Sequence, residues 1–581
     1  MRKKIYILLE EIYQMPHKKN SNLFTLGFTV AAILVVAGLL LNGTVSAQVP
    51  TAEQLSAIEE VAPILDEAIS RQQGNASPAS GGVDHSVFEI LQQDFETPQD
   101  LTKACLSCHL DSATEIMHTT HWTWEYVNET TGQTIGKKHE LNNFCVATSS
   151  NEPRCTSCHV GYGWKDDGFD FSAQENVDCL ICHDTTGTYK KPGVAAGLPA
   201  GYTGNEALDA EPVDLTYVAH NIGAPSRTNC LTCHAYGGGG DAVKHGDIDS
   251  SLKDPDHALD VHMNTEGLNF SCQECHITED HAVSGSRYEH DEDVKSCTDC
   301  HNTDPHEDEL LNTHSETLAC QSCHIPEFAR GGLATKMTWD WSTAGEFDAD
   351  GNKIATEDYN TLKGDFTWGE NVVPDYIWFN GTAEYILVSD IIDPSQIVSV
   401  NSFMGDINDP NAKIWPVKRF TGVQPYDSGN NVLAIPHLFG TDDAAYWKSF
   451  DWNTSIAAGM ESVGADYSGE YGFVETEFFW PITHMVAPAA EALECQECHN
   501  PDNERIDFAA LGYDEKRADT LTWDLDEYPS PSTSQSNLNE LVSHPEDSDD
   551  WKLWLIGIVA VVGFFEVAGT RHIAKREEEN D

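Results

Sequence analysis

The chain has 581 residues, with 33 Lys+Arg against 94 Asp+Glu and a formal net charge of −61. Its 40% hydrophobic content is that of an ordinary globular protein, which excludes a wholly disordered chain and a multi-span membrane protein. A surface this acidic repels phosphate backbones, so we expect no nucleic acid partner. The charge is otherwise typical of a solvated surface and indicates no function.

The first 47 residues have the pattern of an export signal. Basic residues at positions 2–4, 18 and 19 precede an apolar run from Leu23 to Leu41, and the small residues of 44–47 follow. A charged region, a hydrophobic region and a small-residue cleavage site predict a signal peptide over residues 1–47. Because the apolar run is long enough to span a bilayer, a retained membrane anchor is the alternative.

Residues 48–84 are predicted to form a peripheral helix and a linker. Apolar residues recur at helical spacing between 51 and 73, at Leu55, Ile58, Val61, Leu65 and Ile69. Pro63 should kink or split this helix. A Gly-, Ser- and Pro-containing linker follows.

The cysteines carry the strongest signal in the sequence. Sixteen of the 17 fall into eight copies of Cys-x-x-Cys-His, whereas composition alone predicts about 0.02 copies. The cysteine pairs are Cys105 and Cys108, Cys155 and Cys158, Cys179 and Cys182, Cys230 and Cys233, Cys272 and Cys275, Cys297 and Cys300, Cys320 and Cys323, and Cys495 and Cys498. The histidines that end the motifs are His109, His159, His183, His234, His276, His301, His324 and His499.

This spacing is the attachment signature of c-type haem. Two thiols add to the two vinyl groups of one porphyrin, and the adjacent histidine reaches the iron as the proximal ligand. A disulfide framework would not need a histidine after every second cysteine, and zinc sites would pair the Cys-x-x-Cys units with one another. The sequence therefore predicts eight covalently bound c-type haems, whose attachment in bacteria requires export.

Each low-spin c haem also needs a sixth ligand, which is usually histidine or methionine. Sequence context near the motifs favours seven distal histidines: His118, His121, His262, His281, His306, His314 and His484. These seven candidates leave one of the eight predicted haems without a distal histidine. Since His220, His245, His257 and His437 are also available, the count alone leaves open a protein whose haems are all ligated by histidine.

The haem region is predicted to span residues 85–526. So much of it serves haem ligation that the porphyrins should form much of the core. We expect a mainly α fold with extensive irregular structure, a haem-packed multihaem cytochrome c fold. Residues 325–494 differ, being rich in Trp, Tyr and Gly with short mixed runs. Asp348–Gly351 lacks the full calcium-loop pattern and is interpreted as a turn.

The C-terminal residues are predicted to anchor the protein. Residues 527–550 are rich in Ser, Pro, Asp and Glu, which is typical of a flexible tether. The apolar segment 551–570 is predicted to be a single transmembrane helix, with a buried core helix as the alternative. The basic cluster of 571–581 indicates a cytoplasmic tail. This places the body on the periplasmic side of the cytoplasmic membrane, single-pass anchored.

The sequence resembles the octahaem tetrathionate reductase family, relatives of hydroxylamine oxidoreductase. The resemblance rests on the eight motifs and on four segments: Asn142–Cys145, Asn151–Cys155, Gly237–Asp247 and Ala319–Pro326. It implies a mostly α-helical haem-packed fold and one catalytic haem, the second, with lysine as its distal ligand. Here that haem would be bound by Cys155, Cys158 and His159.

The resemblance also implies the catalytic residues Lys244, Cys145 and Asp241. Lys244 follows the glycine run 237–240, which would let the backbone approach a porphyrin. Its neighbour His245 is the rival ligand. Cys145 lies outside every motif and is either a buried inert thiol or a thiol beside the second haem. No motif reads Cys-x-x-Cys-Lys, and no cross-linking tyrosine can be identified.

Two functions follow as hypotheses. One is a reductase that takes electrons from a membrane or periplasmic donor and passes them to a small inorganic sulfur or nitrogen compound: tetrathionate, nitrite or hydroxylamine. Arg154, Lys190 and Lys191 could then bind an oxyanion or be ordinary surface cations. The other is a non-catalytic electron conduit in a respiratory chain. A scaffolding role in a larger respiratory complex is compatible with either.

Overall fold

A computed structural model describes residues 83–289, 293–501 and 505–522. All of them belong to one compact unit, residues 80–581. The predicted signal peptide, most of the predicted helix and linker, the acidic tether, segment 551–570 and the tail lie outside the described residues.

The helices of the described chain are short, and the longest has 11 residues. In chain order they are α1 (Pro98–Leu106), α2 (Ser112–Met117), α3 (Thr120–Thr123), α4 (Glu152–Cys155), α5 (Leu180–His183), α6 (Leu215–His220), α7 (Arg227–His234), α8 (Glu309–Thr317), α9 (Cys320–His324), α10 (Tyr446–Ser449), α11 (Trp452–Ser462), α12 (Cys495–His499) and α13 (Glu515–Leu521). Single 3-10 turns lie between them, at His85–Val87, Glu89–Leu91, Thr156–Cys158, Gln174–Asn176, Gly237–Gly239, Ser250–Lys253, Cys272–Glu274, Cys297–Asp299, Trp341–Thr343 and Ala489–Glu491.

The strands fall into two groups by length. Four short strands lie within the haem-motif region: β1 (Tyr126–Val127), β2 (Thr134–Ile135), β3 (Thr278–Glu279) and β4 (Ala282–Val283). The others follow the seventh motif: β5 (Thr335–Asp340), β6 (Tyr359–Asn360), β7 (Gly364–Gly369), β8 (Asp375–Phe379), β9 (Ala383–Tyr385), β10 (Val398–Ser399), β11 (Asn401–Phe403), β12 (Lys413–Asp427), β13 (Val432–Leu433) and β14 (Tyr471–Pro481).

An eight-stranded mixed sheet is the largest element of the structure. Its order is β10-β14-β12-β5-β7-β6, and β8 and β13 also pair with β12. The central pair is antiparallel, with a register from Val417 opposite Pro481 to Asp427 opposite Tyr471. Strand β5 runs parallel to β12 on its other side. Because β5 follows the seventh motif and β14 precedes the eighth, the sheet region lies between them in sequence.

The two largest apolar cores lie in different parts of the chain, one on the sheet and one among the haem motifs. The larger one is built on the sheet from Phe420, Phe478, Trp339, Trp341 and others, and Phe144 and Val146 join it from the haem-motif region. A smaller core lies among the first motifs, around Leu101, Trp122 and Leu180. Segment 141–147 thus packs against the sheet, which brings Cys145 to the boundary between the regions.

The structure corrects the predicted fold class, because a mainly α fold is wrong. The sheet occupies residues 335–481, where the sequence showed only short mixed runs. Among the described residues, no helix is both long and apolar enough to cross a membrane. This finding does not support the predicted C-terminal membrane helix. It also does not support membrane attachment through that helix or a single-pass anchored location, so these predictions are corrected. Segment 551–570, on which they rested, lies outside the described residues.

Candidate haem ligands and active site

Each motif lies on or beside a short helical turn. Helices α9 and α12 are Cys-x-x-Cys-His motifs themselves, and α7 ends at His234. A helical turn places residues i, i+3 and i+4 on one face, so both thiols and the histidine point to the same side. Helix α7 begins with a capping box between Ser226 and Asn229, which fixes where this turn starts.

Seven motif histidines face a second histidine at a narrow range of distances. The ring centroids are separated by 6.4 Å for His85 and His109, 6.3 Å for His121 and His234, 6.4 Å for His183 and His281, 6.2 Å for His262 and His301, 6.3 Å for His276 and His484, 6.0 Å for His306 and His324, and 6.0 Å for His314 and His499. An iron between two imidazoles holds the ring centroids about 6 Å apart, because each Fe–N bond is about 2 Å long. The residues therefore fit haem iron at seven positions.

Hydrogen bonds at Nδ1 orient many of these rings. His183, His276 and His314 each place Nδ1 within 2.8–2.9 Å of a backbone carbonyl. His281 and His484 place Nδ1 2.7 Å from a Glu115 oxygen and 3.0 Å from an Asp247 oxygen. A ring whose Nδ1–H donates in this way leaves Nε2 as the free acceptor for a metal.

The structure brings together six of the seven distal histidines suggested by the sequence. The exception is His118, whose exposed ring has Nδ1 2.6 Å from the Thr114 carbonyl. His85 occupies the seventh position instead, and its only sequence signal was its place at the start of the haem region. Two other spare histidines are engaged elsewhere: His220 lies 2.8 Å from the Leu91 carbonyl, and His437 lies 3.0 Å from Asp442. His257 is exposed.

The eighth motif histidine, His159, has a different environment. Aromatic rings enclose it, with centroids 5.1 Å away for Trp122, 5.5 Å for Trp124 and 4.9 Å for Trp164. Within the described chain, no second histidine ring stands opposite it at the spacing of the other seven. Burial lowers the pKa of His159 to about 3, so its ring is neutral.

Lys244 lies beside this motif. Its Nζ is 4.6 Å from the Trp480 ring centroid, and its charge acts on the Cys158 thiol. Burial, and then the charge of Arg287, lowers its pKa well below the usual value, which favours the neutral amine. The preceding glycines permit this placement, because a Cβ at Gly237 would lie 3.1 Å from the Lys244 side chain. Gly238 also has a φ of +78°, a conformation that favours glycine.

Residues of the sheet form hydrogen bonds with the backbone of the Lys244 loop. Lys418 of β12 is fully buried and donates to the backbone carbonyls of Val243 at 3.3 Å and Lys244 at 3.0 Å. It also donates to the Thr335 hydroxyl, which in turn donates to the Ala242 carbonyl at 2.7 Å. The sequence analysis missed Lys418, since a lysine within a strand carries no local signal of burial.

A buried polar cluster also contacts Trp480. Arg287 forms an ion pair with Glu140, and Tyr288 donates to Glu140 at 3.0 Å. The Arg287 guanidinium is 4.7 Å from the Trp480 ring centroid, so Arg287 and Lys244 contact the same indole. Burial raises the pKa of Glu140, but the charges of Arg287 and Lys244 outweigh it and hold that pKa below its usual value. The sequence analysis missed Glu140 and Arg287.

The remaining predicted site residues have mixed placements. The His245 ring lies 4.9 Å from the Trp480 centroid, so it stays beside Lys244 as the rival ligand. Asp241 accepts hydrogen bonds from the backbone and hydroxyl of Ser250. Lys191 is buried, pairs with Asp178 at 3.0 Å and donates to the His159 carbonyl at 2.6 Å, whereas Lys190 is exposed. Lys191 therefore supports the His159 turn.

Contacts between cysteines of different motifs show how the motifs are arranged. The thiols of four pairs lie close enough to act on one another electrostatically: Cys105 and Cys179, Cys158 and Cys233, Cys230 and Cys272, and Cys297 and Cys320. Cys182 interacts electrostatically with Cys230, Cys275 with Cys300, and Cys323 with Cys495. The motifs thus follow the order first, third, fourth, fifth, sixth, seventh and eighth, and the second motif branches from the fourth.

The chain is similar to a known multihaem protein. An octahaem cytochrome c from Shewanella oneidensis, whose crystal structure is known, is 46% identical, with a TM-score of 0.67. The match covers 75% of this chain and 97% of that one. The chain belongs to the octahaem cytochrome c family. This confirms the resemblance to octahaem tetrathionate reductase-like cytochromes and shows a multihaem c-type cytochrome with covalently bound haem and a redox or electron-transfer role.

Two further matches are more distant. The family model for bacterial cytochrome c matches residues 336–502, which include the sheet and the last motif. A protein of Archaeoglobus fulgidus, described as uncharacterized, is 27% identical over 241 residues, which is 34% of this chain and 80% of that protein.

Proposed function

We propose that this octahaem cytochrome c is a reductase with eight haems, of which the one attached at Cys155 and Cys158 is catalytic. Its substrate would be a small sulfur or nitrogen compound: tetrathionate, with nitrite and hydroxylamine as the other candidates. The observation that carries the proposal is the contrast between seven motif histidines that face a second histidine and His159, which faces none among the described residues and whose Nε2 lies 2.7 Å from the Trp122 carbonyl. Seven positions are built for strong axial ligation, and one is not.

The arrangement of the motifs supports the same assignment. The second motif adjoins the fourth through Cys158 and Cys233, so it stands at a branch rather than between two others. A pure conduit has no need of such a branch. Haem c supplies one-electron redox chemistry and, where its sixth ligand is weak, a position for substrate.

The residues around His159 suit a displaceable ligand. Lys244 is buried and its amine is favoured over the ammonium, which is the form that can bind a metal. An amine has no π system to accept density from ferrous iron, so it should leave more readily on reduction than imidazole. Lys418 donates to the backbone carbonyl of Lys244 and so fixes the backbone at this position. Arg287 contacts the same indole, and Glu140 balances its charge.

Two single variants of the holoprotein test the proposal. Lys244→Ala should convert one haem in eight to high spin in the oxidised electron paramagnetic resonance spectrum and change the turnover of tetrathionate, nitrite and hydroxylamine with reduced viologen. The matched control is His245→Ala, which removes a neighbouring side chain from the same Trp480 ring and should leave the spin count unchanged. If Lys244→Ala stayed fully low-spin with normal turnover, both the assignment of Lys244 as a haem ligand and the assignment of the active site would be wrong.

A further inference from the structure

We propose that the carboxylates of Glu115 and Asp247 lower the reduction potentials of two haems, those bound at the third and fifth motifs. These motifs adjoin the fourth motif on either side, and the second motif branches from the fourth. A reduced haem is then favoured at the fourth motif over both neighbours. The inference goes beyond the proposed function, because it concerns potentials and holds for a reductase and for a conduit alike.

Each carboxylate lies at Nδ1 of a histidine that faces a motif histidine. His281 faces the histidine of the third motif, and its Nδ1 lies 2.7 Å from Oε2 of Glu115. His484 faces the histidine of the fifth motif, and its Nδ1 lies 3.0 Å from Oδ2 of Asp247. The motif histidine of each pair places Nδ1 near a backbone carbonyl. Each pair therefore combines one ring bonded to a neutral acceptor with one ring bonded to an anion.

A hairpin presents His281 to Glu115. Asp280 and His281 form the two-residue turn between β3 and β4, with φ of +45° and +64°. Such a turn needs positive φ at both positions, although neither residue here is glycine. A non-glycine residue keeps this conformation where the surrounding structure determines it. Glu115 comes from α2, 166 residues away in sequence, so its hydrogen bond to the ring is a tertiary constraint on the turn.

The Lys244 loop carries the second carboxylate. Asp247 is 1% exposed, and its Oδ2 accepts from the backbone amides of Thr483 at 2.8 Å and His484 at 3.1 Å, in addition to the ring. Three donors at one oxygen favour the ionised carboxylate. One short segment thus places Lys244 beside the second motif and an anion at the histidine that faces the fifth.

The other paired rings have different surroundings. Among the described residues, the ion pairs between a carboxylate and a ring of the seven pairs are those of Glu115 and Asp247. The Nδ1 atoms of His314 and His499 lie near backbone carbonyls, and that of His306 lies 3.2 Å from a side-chain amide oxygen. These acceptors carry no net charge. The third and fifth motifs are therefore distinguished from the rest by an anion.

The anion acts on the iron through the ring. A carboxylate that accepts from Nδ1–H gives the imidazole part of the character of an imidazolate and makes it a stronger donor. Ferric iron gains more from a stronger donor than ferrous iron does, so the reduction potential falls. The fourth motif has no such carboxylate in the described chain, and the cation Lys137 acts on its histidine, His234. The potential is therefore higher at the fourth motif than at either neighbour.

A redox titration of the haem-loaded full chain tests the inference, followed by optical and electron paramagnetic resonance spectra without substrate. Glu115→Gln and Asp247→Asn keep the shape of each side chain and remove its charge. At a fixed applied potential, each variant should raise the ratio of reduced to oxidised iron about tenfold at one haem, a shift of about 59 mV. The low-spin signal of that haem should also move, and the double variant should show both changes.

The matched control is Asp260→Asn, which removes another buried charge near the same ring. Asp260 is 3% exposed, and its charge acts on His484. Its carboxylate accepts from the backbone amides of His262, Met263 and Val486 and not from the His484 ring. Asp260→Asn should therefore shift the potential at the fifth motif less than Asp247→Asn does, and it should leave the low-spin signal of that haem in place.

Three results would overturn the inference. The first is an unchanged potential in both Glu115→Gln and Asp247→Asn. The second is an equal shift in Asp260→Asn, which would assign the effect to charge at a distance. The third is a new high-spin signal, which would show that the carboxylate only holds the ring in place. If Asp247→Asn failed to fold, Glu115→Gln at the half-buried site would decide. Because no substrate is used, failure of the proposed function would be seen separately.

Discussion

The haem-motif region, residues 83–334, and the sheet region, residues 335–481, use their sequences in opposite ways. In the first region, the helices have at most nine residues and the strands have two residues each, because much of the chain forms short turns that carry cysteines and histidines. In the second, β12 has 15 residues, and β14 and α11 have 11 each. The first region has the smaller apolar core, around Leu101, Trp122 and Leu180, whereas the second holds most of the larger one.

The difference explains where the candidate active site lies. His159 and Lys244 come from the haem-motif region, but the groups that hold and surround Lys244 come largely from the sheet. Lys418 and Thr335 fix its loop, and Trp480 contacts its amine. These contacts from the sheet keep the backbone of the Lys244 loop in place.

The independence of the two regions can be tested most directly by replacing one tryptophan in each. Trp452 stacks on Tyr446 with centroids 3.9 Å apart in the sheet core, and Trp122 is 1% exposed beside His159. Replacing either with alanine should cost about 3–5 kcal/mol of unfolding free energy. Guanidinium unfolding should show this loss in both variants, but only Trp122→Ala should alter the haem spectrum. A comparable spectral change in Trp452→Ala would show that the two regions are not independent.

The same contrast governs what the sequence could reveal. The motifs are local covalent signatures, so the attachment cysteines and motif histidines could be read directly, and histidines close to a motif were good candidates for its neighbours. His85 was missed although it pairs with the motif nearest to it in sequence, whereas the six histidines that were predicted all pair with motifs other than their nearest one. The sheet was missed for a physical reason: β12 contains Pro416 and Pro425, which argue against a central strand.

Lys418→Met tests whether the sheet positions the Lys244 ligand. The variant keeps the aliphatic volume but removes the donor to the Val243 and Lys244 carbonyls and the Thr335 hydroxyl. Leaving these buried acceptors unpaired should cost about 2–3 kcal/mol. The released loop should also change the spectrum of one haem and lower turnover, as measured by electron paramagnetic resonance and a viologen assay.

The control for this variant lies on the same strand. Lys413 donates to the Ser315 carbonyl at 2.7 Å, far along β12 from the Lys244 loop. Lys413→Met should therefore lose some stability without altering the haem bound at His159. If Lys418→Met were destabilised but spectroscopically identical to wild type, its role would be confined to packing.

The smallest expected effect is a pH dependence that belongs to the sheet alone. Asp427 ends β12 and accepts hydrogen bonds from the backbone amides of Ser468 at 2.8 Å and Gly429 at 3.0 Å. Burial raises its pKa, but hydrogen bonds from Ser468 and the neighbouring backbone amides outweigh this and lower the pKa below 3.8. The charged form therefore contributes stability that is complete above about pH 4 and is lost as the pH falls through the folded-state pKa.

Asp427→Asn should accordingly be less stable than wild type by on the order of 1 kcal/mol at neutral pH, and this deficit should shrink as the pH is lowered. Far-ultraviolet circular dichroism of urea unfolding at several pH values measures the deficit, and the Soret band should remain unchanged. Glu384→Gln, at an exposed carboxylate of β9 in the same region, is the control and should show neither effect. A deficit that grew on acidification would reverse the sign of the linkage, because only a folded-state pKa above the unfolded value produces it.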